Sequence, residues 1–233
     1  MPDRATYHSC SVGYPRSAKR DEPGLKNPTA AAIFPSAADL MTMGARMTTL
    51  IGLSGSLRQG SFNTALLKAA AGAVPDGTVL TIGSIRGIPL YDGDLEVAEG
   101  IPRPVAELKD AIANADGLLL VTPEYNNSVP GVFKNAIDWL SRPPADIPRV
   151  FGGKPVALMG ASPGGFGTIL SQNAWLPIVR TLGAELWSEG RLLVSRAHTI
   201  LNEDGTISDP KVAEQLRSFL QGFATFVRSQ QKK

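Results

Sequence analysis

With 233 residues, 43% of them hydrophobic and 19% charged, the chain can bury the core of one large domain, or of a domain with an appendage. It has no run near the roughly 20 apolar residues that span a bilayer, one cysteine (Cys10), which excludes an intramolecular disulfide framework, and only two histidines (His8, His198), too few to argue for zinc. Residues 1–46 hold six Lys/Arg against four Asp/Glu and so account for the whole net charge of +2; the other 17 of each sign cancel, leaving no basic surplus for nucleic acid.

Those exclusions predict a soluble, cytoplasmic protein. Its first 46 residues, which include "PRSAKRDEPGLKNPTAAAIFPSAADL", combine scattered prolines and mixed charge without a sustained period. They read as a disordered or loosely attached N-terminal extension without a catalytic role, or as an upstream start. A signal peptide would need a continuous apolar centre, and Asp21, Glu22 and Asp39 are out of place in a transit peptide. The folded unit is expected over 47–233, because "MTTLIGLSGS" begins a strand at Met47.

Short apolar runs then alternate with helical patterns. "TLIGLSG" reads as a strand and Phe62–Val74 as a helix ending before Pro75; "GTVLTIGSI" reads as a second strand and Val105–Ala115 as a helix. "GLLLVTP" has no polar alternation, as expected of a strand covered on both faces. Val132–Leu140 reads as a helix halted by "SRPP", and "KPVALMGAS" as a fourth strand. Gly167–Leu182 is a helix that must accommodate Pro177 as a kink or break, and "ELWSEGRLLVS" supplies the fifth strand. Asp209 caps a last helix with Pro210 at its first position, where Val212, Leu216, Phe219, Leu220, Phe223 and Val227 recur at helical spacing. Five strand–helix alternations predict an α/β, doubly wound, five-stranded parallel sheet with helices on both faces. Ligands of such sheets bind at the carboxyl ends of the strands, near the switch in strand order. The loops after strands one, three and four are the unusual ones.

The first, "LSGSLRQGSFN" (53–63), turns from strand to helix through small hydroxylated residues around one arginine. A helix N-terminus offers unpaired N–H groups and partial positive charge, glycines admit a close approach, and Arg58 can add a charge-assisted pair. The loop suits a terminal phosphate. Gly55 and Gly60 have P-loop spacing, but Ser61 and Phe62 stand where its lysine and hydroxyl belong, and no GxGxxG occurs here. The plain alternative is that Ser61 only caps the helix and Arg58 is solvated. The second loop, "TPEYNNSVPG", offers Pro123 and Tyr125 as a flat apolar contact and Asn126 or backbone groups as partners for a heteroaromatic edge; a proline-rich turn is the bland reading.

"GASPG" (160–164) in the third loop fits GxSxG, with Ser162 as a nucleophile and His198 as a base. The oxyanion donor would have to be the N–H of Pro163, which has none, so the hydrolase reading fails. No carboxylate pair is placed for acid–base work. Arg103, Arg142 and Arg149 are candidates for a dinucleotide phosphate but read better as solvated surface, "YDGDLE" (91–96) as a loop near a partner subunit, and Trp139 as core or interface.

"GSLRQGSFN", "PEYNNSVPGVFKNAIDWLSRP" and "GASPGGFGT", in that order and spacing, resemble the NADPH-dependent FMN reductase family over about Thr48 to Val194. This is the flavodoxin-like group that includes quinone, chromate and azo reductases. The resemblance implies an oxidoreductase with FMN as cofactor, NADPH or NADH as co-substrate and a quinone-like acceptor, working by ping-pong hydride transfer as a homodimer or homotetramer. It assigns the FMN phosphate to Ser56, Arg58, Ser61, Phe62 and Asn63. It sets Pro123, Glu124, Tyr125 and Asn126 against the isoalloxazine, and Ser162, Gly164 and Gly165 near the flavin edge. No catalytic side chain is implied, because the flavin carries the chemistry. The 1–46 extension departs from the compact family pattern. A flavodoxin-type electron carrier without dinucleotide turnover is the alternative, although such carriers are typically strongly acidic and residues 47–233 net zero.

Overall fold

The computed structural model describes residues 46–231; the extension expected over 1–46 lies outside them except for Arg46. Four strands, β1 (Thr48–Ser54), β2 (Thr78–Gly83), β3 (Gly117–Val121) and β4 (Pro155–Ala161), pair in parallel in the order β2-β1-β3-β4. Between them run α1 (Phe62–Ala71), α2 (Gly93–Glu99), α3 (Arg103–Asn114), α4 (Gly131–Leu140) and α5 (Ile147–Val150), followed after β4 by α6 (Ile169–Thr181) and α7 (Pro210–Gln230). The order is that of a flavodoxin-like doubly wound sheet. It reverses between β1 and β3, so the loops leaving those strands part toward opposite faces and open a crevice at the carboxyl edge.

Both faces of the sheet are covered, which explains the unbroken apolar strands. Within β3, Leu118 and Leu120 join the core beneath α3, α4 and α6, while Leu119 and Val121 join the core beneath α1 and α7. β4 divides the same way, with Val156 and Leu158 against Ala157 and Met159. The period of two is present but hidden, since each side of the strand is apolar. Trp139 is fully buried in the first of these cores. At the start of α7, the Asp209 carboxylate accepts the Lys211 N–H at 2.8 Å, and Pro210 follows at the first position as the spacing predicts.

The fifth strand is in two pieces, β5 (Glu185–Leu186) and β6 (Leu192–Val194), both parallel to β4. Six residues carry the chain from Leu186 to Leu192 while β4 advances only three, from Val156 to Met159, so part of "WSEGR" loops out. Trp187 fills the gap, its ring 5.1 Å from that of Phe219 in an edge-on contact. Neither Glu189 nor Gly190 has an apolar side chain to continue a buried strand.

"YDGDLE" is a helix start, not a loop. Asp92 accepts the Asp94 N–H at 2.9 Å and caps α2, and the loop expectation overlooked this short helix because none of its residues is buried enough to set a period. Helix α6 contains Pro177 without ending there; Asn173, four residues earlier, is exposed, so water can take the carbonyl that the missing N–H frees. Among the described residues no helix is long and apolar enough to cross a membrane.

Candidate functional site

Three loops leave the carboxyl edge beside the switch point. In the first, Gly55 donates its N–H to the Val121 carbonyl at 2.9 Å, which ties the loop to the end of β3. A side chain has no room at Gly55, because a Cβ would stand 2.1 Å from the Phe133 ring. The backbone then turns at Ser56, whose Oγ accepts the Arg58 N–H at 3.3 Å. The exposed Arg58 guanidinium lies 5.3 Å from the centroid of the Phe62 ring and makes no ion pair among the described residues. Ser61 is the cap of α1, its Oγ accepting the Thr64 N–H at 3.3 Å. The N–H groups of Phe62 and Asn63 have no partner among the described residues. They sit at the positive end of the helix.

Asn63 faces the other way. Its Nδ2 donates to the Ala161 carbonyl at 2.8 Å and its Oδ1 accepts the Ala161 N–H at 2.9 Å, so both ends of the amide are committed to the last residue of β4. The side chain clasps the first loop to the third.

The second loop begins with the buried Thr122 and Pro123 and ends in a two-residue hairpin. Tyr125 and Ser128 exchange both backbone hydrogen bonds, at 3.2 and 3.0 Å. Between them Asn126 and Asn127 have φ of 51° and 61°, a left-handed pair that asparagine tolerates better than most residues. The turn holds Tyr125 outward, 50% exposed. Glu124 points back into the fold: its Oε2 accepts the N–H groups of Leu170 at 2.8 Å and Ser171 at 3.0 Å, and so caps α6, whose own N-cap residue Thr168 makes no capping bond with its side chain. Thr122 Oγ1 lies 2.8 Å from Ser171 Oγ in a second tie between the same elements.

The third loop crosses to the fifth strand. Ser162 donates its N–H to the Val194 carbonyl at 3.0 Å and accepts the Ala197 N–H at the same distance. His198 is exposed and no hydrogen bond joins it to Ser162 among the described residues, so the geometry supplies no nucleophile–base pair. The three loops enclose a cavity of about 340 Å³ lined by Ser56, Arg58, Ser61, Phe62, Asn63, Pro123, Glu124, Tyr125, Ala161, Ser162 and Pro163. The first loop contributes an arginine, two hydroxylated residues and the start of a helix to the cavity's lining, and the second contributes Pro123 and Tyr125. A dianionic phosphate joined to a planar ring system matches that donor set.

Comparison with known proteins agrees. Residues 48–199 match the family model described as NADPH-dependent FMN reductase. The chain belongs to this family. An NAD(P)H-dependent FMN reductase of Pseudomonas aeruginosa is 41% identical over 179 residues, 77% of this chain and 95% of that one. A quinone reductase of Escherichia coli is 37% identical over 181 residues, again 77% of this chain and 95% of that one. Among solved structures, the flavoenzyme NAD(P)H:(acceptor) oxidoreductase FerB of Paracoccus denitrificans superposes with a TM-score of 0.68 at 32% identity, over 78% of this chain and 98% of that one.

Within this FMN reductase fold, three of the expected residues stand apart from the cavity. Asn126 occupies the exposed hairpin tip, and Gly164 and Gly165 are exposed beyond Pro163, with the Gly164 carbonyl accepting the Arg196 N–H at 2.9 Å. Each candidate dinucleotide arginine already has a carboxylate partner: Arg103 pairs with Glu107 at 2.7 Å, Arg142 with Glu96 at 2.8 Å and Arg149 with Asp110 at 2.9 Å. The Arg142 hydrogen bond holds the Glu96 carboxyl below the usual range, while burial and the hydrogen bond to Glu96 push the Tyr91 phenol up. Arg86 was missed altogether. Its Nη2 donates to the Leu57 carbonyl at 2.8 Å and braces the first loop from the turn after β2. The signal was its place directly behind a strand's carboxyl end, flanked by Gly83, Ser84 and Gly87.

Proposed function

We infer that this chain is an FMN-dependent NAD(P)H oxidoreductase that reduces quinones, flavins or similar acceptors, with dinucleotide and acceptor using one site in turn. Arg58, Ser56 and Ser61, together with the N–H groups of Phe62 and Asn63, hold the FMN phosphate. Pro123 and Tyr125 lie along the ring and Ser162 toward its edge, with Asn126, Gly164 and Gly165, outside the lined cavity, at the rim where the ring projects from it. Glu124 and Asn63 line the cavity but act mainly as braces, since their polar atoms are engaged by α6 and by Ala161. Bound there, FMN would supply the two-electron hydride chemistry. The protein's part is orientation, exclusion of water beneath the ring, and placement of positive charge at the phosphate end.

Support comes above all from one observation: a guanidinium with no ion pair among the described residues, the start of a helix whose first N–H groups have no partner among them, and an aromatic shelf meet at one cavity at the switch point of the sheet. The reading includes a cytoplasmic homodimer or homotetramer. Leu90 and Val97, 82% and 89% exposed, offer apolar surface for such an assembly.

The test is reconstitution with FMN, followed by NADPH and NADH oxidation with and without a quinone. Wild-type protein is expected to become yellow and to consume dinucleotide only when an acceptor is present. Arg58→Ala should weaken FMN binding by about 10- to 100-fold, the scale of one charge-assisted contact. Tyr125→Ala should change acceptor turnover more than FMN affinity. Undiminished FMN retention by Arg58→Ala after dialysis would remove the basis of the assignment.

A further inference from the structure

A second cavity, of about 240 Å³, borders the first loop, between α1 and the turn that follows β2. Ser56 and Arg58 line both cavities, so the two flank one loop at the carboxyl edge of the sheet. Arg58 and Arg86 line the second one together with the hydroxylated Ser54, Ser56, Thr64 and Ser84, and no carboxylate is among its lining residues. Neither arginine forms an ion pair among the described residues. Glu203 approaches the loop at Gly60 yet makes no ion pair with Arg58. Arg86 is held in place through Nη2 on the Leu57 carbonyl at 2.8 Å, which leaves Nε and Nη1 without a partner among the described residues. Arg58 is taken by the FMN phosphate in the function proposed above, so Arg86 is the groove's own charge, and a guanidinium fixed among hydroxyls matches the oxygens of a phosphate.

We propose that this groove is a second phosphomonoester site, separate from the cavity assigned to the FMN phosphate, and that it takes the 2′-phosphate of NADPH. The enzyme then prefers NADPH to NADH. The inference rests on the function proposed above, because a dinucleotide substrate has to bind at the same sheet edge. Inorganic phosphate offers the same chemistry from another source.

Calorimetric titration of the protein, with and without FMN, by adenosine 2′,5′-bisphosphate, 5′-AMP and inorganic phosphate separates these cases. It is run beside kcat/KM for NADPH and NADH on the wild type, Arg86→Ala and Arg86→Lys. The bisphosphate is expected to bind about 10-fold or more tightly than 5′-AMP, the scale of one charge-assisted contact. Arg86→Ala should abolish that difference and lower kcat/KM for NADPH by about 10- to 100-fold more than for NADH, whose smaller loss reports the brace on Leu57 alone. Arg86→Lys should keep part of the preference, since the charge remains. Equal losses with both dinucleotides would reduce Arg86 to a brace for the loop and overturn the proposal. Equal binding of bisphosphate and 5′-AMP would overturn it too, as would tight inorganic phosphate binding without any dinucleotide preference. A protein that takes up no FMN but binds the bisphosphate through Arg86 would sink the parent function and leave the groove standing.

Discussion

Asn63→Ala should destabilise the fold before any ligand is added. The amide satisfies both the carbonyl and the N–H of Ala161, at 2.8 and 2.9 Å, and the two residues are 4% and 2% exposed. A buried polar group left without a partner costs about 1–3 kcal/mol. Two of them put the loss on the order of 2–5 kcal/mol, less if a water enters the space. For a chain of this size each kcal/mol moves the midpoint by about 2–4 °C, so thermal unfolding of flavin-free protein should fall by about 5–15 °C. Flavin affinity should fall with it, because the clasp fixes the first loop against the third. Asn63→Asp refines the test. An ionised carboxylate still accepts the Ala161 N–H but sets a second negative oxygen against the Ala161 carbonyl, whereas a protonated carboxyl donates to it. The folded-state pKa of that carboxyl is therefore raised, and the variant recovers stability as pH falls through it and is weakest above it. An Asn63→Ala protein that melts like the wild type but no longer binds FMN would refute the clasp and make Asn63 a direct ligand contact.

Other consequences follow from the same geometry. Gly55→Ala puts a Cβ 2.1 Å from Phe133, a fully buried ring packed edge-on against Trp175 at 4.9 Å, and should cost about 1–3 kcal/mol with weakened FMN binding. Gly60→Ala meets the side-chain tips of Glu203, at 2.7 Å, and Arg58, at 3.4 Å, and should change the melting temperature little; equal effects of the two would contradict the packing argument. Glu124→Ala strips the cap from α6 and should lower stability by about 1–2 kcal/mol, with slower acceptor turnover as the hairpin loosens; wild-type melting would dismiss the cap. Glu96 has its pKa depressed by the Arg142 hydrogen bond, so its contribution is present above the ordinary glutamate pKa and is lost as pH falls through the depressed one. Urea unfolding should accordingly separate the wild type from Glu96→Gln at neutral pH and bring them together in acid.

Local chemistry made much of this molecule legible in its sequence. Apolar runs of strand length alternating with helical spacing imply the layered sheet, since each pattern can bury its surface in only one way. "GSLRQGSFN" and "PEYNNSVPG" announced an anion cradle and a flat shelf through residue types alone, and Asp209–Pro210 announced a helix start. In strand five, "ELWSEGRLLVS" has β-forming residues at both ends, which form β5 and β6, and nothing local says that Trp187 fills a gap the strand steps around.

Only the tertiary structure decided what Asn63, Glu124 and Arg86 do. Asn63 finds its partner 98 residues away, Glu124 finds its own 46 and 47 residues away, and Arg86 reaches back 29. Spacing along a chain reports neighbours within a turn or a strand, because only there do fixed backbone periods set which side chains meet. Across the edge of a sheet, meeting depends on strand order and register, which are settled by how both faces are buried at once. The sequence determined which chemical groups this edge would hold, and the folded sheet decided which of them face a ligand and which hold the loops together.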